Sequence, residues 1–552
     1  MVRTMPTYVI NRKKLDFFSD EQLKDNLPLI KCGVEDFNSE ITIEVTSDRP
    51  DLLSVQGVGR ALKGFLDIET GLPSLSTETL KKSGVKVFKD ADVLMIRPYI
   101  VSAVVKKKIG EEDLIDLMNV QERLHQTHGR KRKKISIGIH DASKLKPPFY
   151  YKAVDPESVS FTPLNEEKEM NLKEILEKTQ KGREYAFIIQ SFNKYPLLVD
   201  SNNNVLSFPP IINGTLTTLK PGSSNLFIDI TGTDFEACNS TLNILCQDFA
   251  DQGAEIETVE IIGSEKIETP QTTPEEMLLD LKEANKTLGL NLNEKEAIKL
   301  LRKQRLDAEN FNSMLKCKIP RYRADFIHPV DLVEELAIGY SFKKFNPEPP
   351  SLFTKGGLSE QTILTEKIRN AMSGSGFIEI ENHVLSSEFL MDKCFVEKFI
   401  RIQNPVSSEY SVLRSELFPL LIETASKNTY HAYPQKLFEV GEVILPEKQV
   451  KTNLNVSALI LSSKASLSEI ASYFYILSKS LDIEFKLEKS KSKKFLENRG
   501  LSIKVNGVEK GFIGEVNPEI LVEFGIEMPA SVFEFNVSNL HATKIKADQN
   551  EN

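Results

Sequence analysis

The densest set of side chains able to do chemistry lies in residues 317–345, CKIPRYRADFIHPVDLVEELAIGYSFKKF. Pro329 suits the first turn of a helix, because its fixed φ is already helical and its missing N–H is not needed there. A helix begun there carries Asp331, Glu334 and Glu335 at i, i+3 and i+4, on one side of the cylinder. Asp325, six residues before Asp331, stands in a loop able to fold back over the same face. Leu332, Val333, Leu336 and Ala337 take another side, which makes the helix amphipathic. Four clustered carboxylates repel one another unless a hard cation or basic groups neutralise them. Magnesium, which takes carboxylate oxygens and keeps several waters, suits such a set better than zinc. The plainer role is that of acids in a first turn complementing the helix dipole, and on spacing alone it is the stronger.

A second group of polar residues is scattered over the preceding 180 residues. Apolar ISIGI leads to His140 and Asp141 at a strand end, where spacing favours a pair capping the following turn. Just before it, the run Arg130 to Lys134 reads first as a solvated basic turn and second as a contact for a phosphate backbone. FPPIINGTLTTLKPGSSNLFIDITGTDFEACNSTLNILCQDFA combines tight turns, a strand and a helix start. Thr231 and Asp234 can cap that helix, and its free N–H groups could bind an anion or a carbonyl.

The elements that must hold these residues belong to several domains. At 552 residues the chain is expected to hold three to four, at roughly 150 residues each. Its 40% hydrophobic and 27% charged residues are ordinary for a globular protein. No apolar run approaches the roughly 18 residues of a membrane span, and MVRTMPTYVINRKKLDFF lacks the apolar core of a signal peptide. Five scattered cysteines without a C-x-x-C argue against a disulfide framework and a cysteine zinc site, and fit a reducing cytoplasm. A net charge of −9 leaves room for RNA contact only as a local patch, or as one shared with another chain. There is no P-loop, no H-E-x-x-H, no nucleophile elbow and no solenoid repeat.

The predicted organisation is α+β and multidomain. Residues 1–85 form an N-terminal structural domain, in which ITIEV alternates as a strand and Asp51 caps a helix bearing Leu52, Val55, Leu62 and Phe65. Residues 86–270 read as mixed α/β. Residues 271–345 read as a small helical module, with one helix begun at Thr273-Pro274 and a second in NEKEAIKLLRKQRLD. Pro347, Pro349, Pro350 and Gly356-Gly357 mark 346–357 as a linker. Residues 358–540 read as an antiparallel sheet domain with a hairpin at Asn506-Gly507, and 541–552 as a polar, frayed tail.

Several of these stretches together resemble one family. R-A-D-F-I-H-P-V-D-L-V-E-E-L-A-I-G-Y is similar to the magnesium-binding module of phenylalanyl-tRNA synthetase beta subunits. E-V-T-S-D-R-P-D-L-L-S-V-Q-G-V-G-R-A-L resembles their N-terminal region. P-P-I-I-N and F-I-D-I-T-G-T-D resemble the archaeal and eukaryotic form of their editing module, with Gly214 where the family often has Ser. N-P-V-S-S-E-Y-S-V-L-R-S-E-L-F-P-L-L-I-E-T, F-E-V-G-E-V and G-F-I-G-E-V-N-P-E-I-L resemble their class II synthetase-like domain. That domain would lack catalytic residues here. Leu437–Val440 and Val532–Phe535 carry none of the arginines with which class II enzymes hold ATP, and Arg414 reads as an interface or core salt-bridge residue.

The resemblance implies a magnesium held by Asp325, Asp331, Glu334 and Glu335. It also implies a cytoplasmic α2β2 heterotetramer with an alpha subunit that adenylates phenylalanine from ATP. The beta chain would supply assembly, contacts to tRNA(Phe), and hydrolysis of tyrosine mischarged onto that tRNA. Editing candidates are His140, Asn213, Thr231 and Asp234, as groups that position water or substrate. Two other readings stay open at this point: a freestanding tRNA-editing or tRNA-binding protein, and a magnesium-dependent hydrolase using the four acids directly.

Overall fold

Apolar alternation, helix caps and a few buried arginines build two compact units, one up to residue 349 and one from Pro350 onward. The computed structural model describes residues 6–538 and 540; the tail at 541–552 lies outside the described residues.

The first unit opens with β1 (Thr7–Asn11), α1 (Asp20–Asn26), β2 (Cys32–Phe37) and β3 (Glu40–Val45), in an antiparallel sheet ordered β1-β3-β2. Ile41, Ile43 and Val45 alternate inward, as ITIEV predicts. α2 (Val55–Phe65) follows, but Asp51 is not its cap. Ser54 accepts the Gly57 N–H instead. Asp51 lies in the tight turn before it, wholly buried, with both oxygens 2.8 Å from the Arg49 guanidinium. A buried cation outcompetes a helix terminus for a carboxylate, because an unpaired charge inside costs far more than a missing cap.

The mixed α/β part supplies a large sheet. Its early elements are β4 (Lys81–Lys89), β5 (Tyr99–Lys106), α3 (Glu111–Gln126), β6 (Ile135–Asp141), β7 (Phe149–Val154), β8 (Ser160–Phe161) and β9 (Met170–Asn171). α4 (Leu172–Lys178), α5 (Gln180–Tyr185), β10 (Tyr195–Val199), β11 (Val205–Phe208) and β12 (Ile212–Asn213) follow. β13 (Asn225–Gly232), α6 (Phe235–Ala250), β14 (Glu255–Ile262) and β15 (Lys266–Thr269) complete it. The strand order is β12-β11-β10-β7-β4-β14-β5-β13-β6, with β15 on β14. One face of β5, β13 and β6 packs Val101, Ile137 and Ile228 toward α3 and α6. The other face carries Ile100, Val104 and Phe227 among Phe149, Tyr151 and Leu198.

This sheet is curled. Phe149 on β7 and Phe227 on β13 are four strands apart, a flat separation of about 19 Å at ~4.8 Å per strand. Their ring centroids lie 4.5 Å apart. Arg132 likewise reaches from the chain before β6 to the Pro210 and Ile211 carbonyls ahead of β12, so the two ends of the sheet are pinned together.

Residues 271–345 depart from the sequence reading at one place. The helix expected from Thr273-Pro274 is a strand, β16 (Glu275–Leu279), and α7 (Leu281–Leu288) begins only after Asp280, which caps it. Long-range pairing overrides local helix propensity here. The segment EEMLL lies antiparallel to β18 (Met314–Ile319), which also pairs β17 (Asp307–Phe311). α8 (Glu294–Lys303) and α9 (Pro329–Tyr340) cover the sheet with Leu301, Leu332 and Leu336.

The second unit is built on a seven-stranded sheet, antiparallel apart from the parallel edge strand Ile378–Glu379. Helices Glu360–Gly374 and Leu467–Ser480 cover one face, and Phe418–Ser426 the other. Val505 and Val508 pair across the Asn506-Gly507 turn, where both turn residues take positive φ.

Candidate functional site

α9 does not gather its acids. A helix residue at i+3 and one at i+4 differ by a fraction of a turn, and at the edge of a core that fraction separates outside from inside. Asp331 turns back over the helix start and accepts the Ile327 and His328 N–H groups at 2.7 and 2.8 Å. Glu334 points outward to Lys31 at 2.8 Å, and Lys31 also holds Asp48 at 2.7 Å. Glu335 points inward to Arg323 at 2.7 Å. Asp325 does fold back, as predicted, and meets Arg323 at 2.6 and 2.8 Å through both oxygens.

Basic groups thus neutralise this cluster from within the chain. Among the described residues no three His, Cys, Asp or Glu side chains are disposed to hold a metal ion. In this conformation the four acids do not fit as ligands of one magnesium. The Asp325 carboxyl shows the balance of forces: burial raises its pKa, the Arg323 charge and hydrogen bonds lower it more, and it settles at about 2. Glu335 Oε2 is the exception to full pairing, since it is buried without a hydrogen-bond partner.

The curled sheet forms a second candidate. Phe227, Asp229 and Thr231 alternate onto one face of β13, and the register sets His140, Gly138 and Ser136 of β6 opposite them in turn. His140 Nε2 lies 2.7 Å from Asp229 Oδ2, and Nδ1 lies 2.8 Å from Thr217 Oγ1. All three residues are buried. Thr217 Oγ1 is also 3.2 Å from the Gly214 carbonyl, so its single hydrogen chooses between that oxygen and the imidazole. A carboxylate, an imidazole and a hydroxyl in line can hold a proton and release it to a neighbouring group. Gly138 leaves the room for this: a Cβ there would fall 2.2 Å from Asp229 Oδ2 and 2.8 Å from His140 Nε2.

Thr231 joins this face through Arg97, whose Nε donates to Thr231 Oγ1 and whose Nη2 donates to the Thr231 carbonyl. Ser102, opposite Asp229 on β5, and Ser207, opposite Asn213 on β12, have hydroxyls buried without a hydrogen-bond partner. Orphaned polar atoms of this kind call for a water or a ligand. Asp234 sits apart, capping α6 through the Ala237 N–H and pairing Lys134 at 3.1 Å. Asn213 sits on the short β12. His140 bonds none of the other three residues singled out in the sequence. His140 and Asp141 also separate, Asp141 capping the next turn through the Ser143 N–H.

Asp229, Thr217 and Arg97 carry this site and were missed by sequence reasoning. A signal for Asp229 existed. It is a lone acid at an interior position of FIDIT, alternating in phase with Phe227 and Thr231 rather than with the two isoleucines.

Comparison with known proteins bears on both sites. A family model described as "Phenylalanyl tRNA synthetase beta chain CLM domain" matches residues 347–537, and one described as "tRNA synthetase B5 domain" matches residues 277–342. A protein of Korarchaeum cryptofilum named phenylalanine–tRNA ligase beta subunit is 39% identical over 547 residues, covering 96% of this chain and 98% of that one. Proteins of the same name from Archaeoglobus fulgidus and Methanocaldococcus jannaschii are 39% and 37% identical, covering 94% and 97% of this chain and 95% and 100% of theirs. The crystal structure of an N-terminal fragment of the phenylalanyl-tRNA synthetase beta subunit from Pyrococcus horikoshii superposes with a TM-score of 0.58 at 38% identity. It covers 61% of this chain and 99% of the fragment.

The Arg323 pairing makes a testable statement about pH. Asp325 is held at about 2 against an ordinary 3.8, a difference of about 2 kcal/mol. Because the folded-state pKa is lowered, the stabilisation is complete above pH 4 and lost as pH falls through 2. Asp325→Asn leaves Arg323 short of charge and is expected to lower the thermal midpoint of the first unit, by about 3–5 kcal/mol of stability at neutral pH. The gap between wild type and variant should narrow by about 2 kcal/mol as pH falls from 4 to 2, and a gap unchanged at pH 2 would refute the assignment.

Proposed function

The chain belongs to the phenylalanine–tRNA ligase beta-subunit family, and on that premise we propose that it works with an alpha subunit to join phenylalanine to tRNA(Phe) at the expense of ATP. The observation that carries this is near-full-length similarity to proteins bearing that name, with both family models in chain order. In this reading the assembly is an α2β2 heterotetramer in the cytoplasm, with adenylation in the alpha subunit. No helix among the described residues is long and apolar enough to cross a membrane. The second unit supports the division of labour. Arg414 is bound to Glu439 at 2.5 Å with both side chains buried, and Glu534 is bound to the Leu417 and Phe418 N–H groups, so neither faces an ATP phosphate. Co-expression with an alpha subunit is expected to yield phenylalanine-charging activity. The isolated chain should give no phenylalanine-dependent ATP–pyrophosphate exchange, and exchange by the isolated chain would overturn this part.

The curled sheet is the proposed hydrolytic site for tyrosine mischarged onto tRNA(Phe). A pocket selective for phenylalanine rejects an added hydroxyl only about 100-fold, so a separate hydrolytic site is needed for fidelity. His140, Asp229 and Thr217 supply a proton path, and Thr231 shares their face of β13. Asn213 pairs with Ser207 on the far strands of the sheet, and Asp234, which caps α6, stays a candidate only for holding the approaching substrate. The buried hydroxyls of Ser102 and Ser207 are free to bind water or substrate. His140→Ala and Asp229→Asn are expected to lower kcat for Tyr-tRNA deacylation by 100-fold or more, the usual size of a lost acid–base group. Gly138→Ala should do the same by pushing Asp229 and His140 apart. Full deacylation by all three variants would remove the assignment.

Magnesium belongs to the proposal in narrowed form. Glu334 is exposed and Asp331 half-buried, so these two can reach an ion if Lys31 releases Glu334. Asp325 and Glu335 would stand behind them on Arg323. A bound magnesium would supply charge neutralisation that locks residues 321–329 onto α9 near the alpha subunit. Asp331→Asn removes one charge and keeps the shape, and is expected to weaken magnesium-dependent subunit association about tenfold. Identical association curves for wild type and variant across a magnesium titration would leave these acids as a solvated face.

A further inference from the structure

We propose that the basic turn Arg130–Lys133, with Phe187 beside it, is the docking point for the single-stranded 3′ end of an RNA on its way into the curled-sheet site. The turn is built in an unusual way. Arg130, Lys131 and Arg132 take φ of 50°, 54° and 62°, three successive non-glycine residues in the left-handed region. Long side chains seldom adopt it, and such segments persist only where surrounding structure over-determines them and collect at functional sites.

Arg132 is what over-determines it. Its guanidinium is buried, donates to the Pro210 and Ile211 carbonyls, meets Glu122, and lies 4.4 Å over the Tyr185 ring. The Lys133 carbonyl accepts from Arg97, the same arginine that holds Thr231. The turn is therefore fixed to the proposed site from two sides. Its backbone conformation aims the remaining cations outward.

Those cations are unspent. Arg130, Lys131 and Lys133 are exposed, and none forms an ion pair among the described residues, although the chain carries net charge −9. The acids nearest the turn are engaged elsewhere: Glu122 by Arg132 and His125, Asp234 by Lys134, Glu184 by Lys181. Phe187, 46% exposed, lies with its ring 5.1 Å from Lys133 Nζ. Unpaired cations interleaved with an exposed aromatic face suit a single strand, because the cations follow phosphates while a base stacks on the ring. A duplex would use the cations and leave the ring idle. That contrast selects the single-stranded end.

This inference rests on the hydrolytic reading only for its destination, and its test separates the two. The probe is a short RNA hairpin with a single-stranded 3′ extension, its blunt counterpart being the comparison, with binding to the full chain followed by fluorescence anisotropy. The variant Arg130→Asn/Lys131→Asn removes both charges with a residue that tolerates the left-handed region, so the turn keeps its shape. It is expected to bind the extended hairpin about tenfold more weakly, with a salt dependence shallower by about 1.4, the release expected from two phosphates on a single strand. Phe187→Ala should weaken the extended hairpin alone. Lys491→Asn/Lys493→Asn, in the other unit, should bind as wild type. On mischarged tRNA the turn variant should raise KM with kcat kept, whereas His140→Ala should lower kcat with hairpin affinity kept. Unchanged affinity of the turn variant overturns the proposal, as does an equal loss on blunt and extended hairpins. Loss of hairpin binding in a chain that hydrolyses nothing would sustain the docking point and sink the hydrolytic site.

Discussion

The first unit depends on arginines buried together with their counter-ions. Arg49, Arg60, Arg305 and Arg323 are each less than a tenth exposed and come from two stretches of the chain, 1–85 and 271–345, while acids of a third, at the end of α6, meet one of them. Arg49 holds Asp51; Arg323 holds Asp325 and Glu335; Arg60 reaches Asp248 and Asp251 at the end of α6 and lies 4.4 Å over the Tyr322 ring. Arg305 binds the Glu69 carbonyl. Taking any one of these charges out of water costs several kcal/mol, and only a carboxylate at hydrogen-bond distance recovers it. Three modules thus share one ionic network, and none can move away without stranding a charge in another. Asp248 registers the tightness. Burial pushes its carboxyl up to about 7 even with Arg60 beside it. Gly64 serves the same closeness, since a Cβ there would fall 2.4 Å from the Lys303 carbonyl.

This constraint explains how much of the molecule could be read from its sequence. Periodic elements were legible: ITIEV, α8, α9 and the Asn506-Gly507 hairpin all carry their pattern locally. The errors share one cause. Asp51 was read as a helix cap and EEMLL as helix because each looked complete in its own neighbourhood. In the fold each answers to a distant partner, Arg49 within a buried network and β18 across a sheet. The acids of α9 were identified one by one, yet their spacing could not say that Lys31, 303 residues away, would take Glu334. Asp229, though its phase in FIDIT marks it, was overlooked for a related reason. An acid in an apolar strand acquires meaning only when β6 brings His140 into register beside it.

The curled sheet and the acidic helix solve opposite problems with the same groups. Around α9 every carboxylate but one buried oxygen is tied down, so the region is stiff. On the sheet interior, His140 and Asp229 are hydrogen-bonded to each other, but hydroxyls are left over at Ser102 and Ser207, and Thr217 has two neighbours for one hydrogen. Unsatisfied hydroxyls cost stability in an empty interior. They become useful once a polar ligand enters. A fold that leaves such groups on the sheet that carries His140 and Asp229 keeps hydrogen-bonding capacity where chemistry can use it.

The second unit carries that logic to its limit. Its buried charged groups are held within the unit: Arg414 with Glu439, Lys494 with Glu416, and Glu534 with Asn455 and the N–H groups opening helix Phe418–Ser426. Burial and the neighbouring Glu416 push the Glu534 carboxyl up to about 7, although every group that contacts it is a donor suited to the ionised form. Such a residue is poised by its surroundings as an acid is in a catalytic centre, but its oxygens are already occupied by the Leu417 and Phe418 N–H groups, at the start of a helix more than a hundred residues away. Stabilising a transferring phosphate demands cations aimed at empty space and held there before substrate arrives. Among the described residues of this unit the one buried arginine, Arg414, is aimed at Glu439 and at main-chain oxygens of residues 382 and 442. Electrostatic preorganisation in this unit is turned inward, where its charged groups rigidify one another.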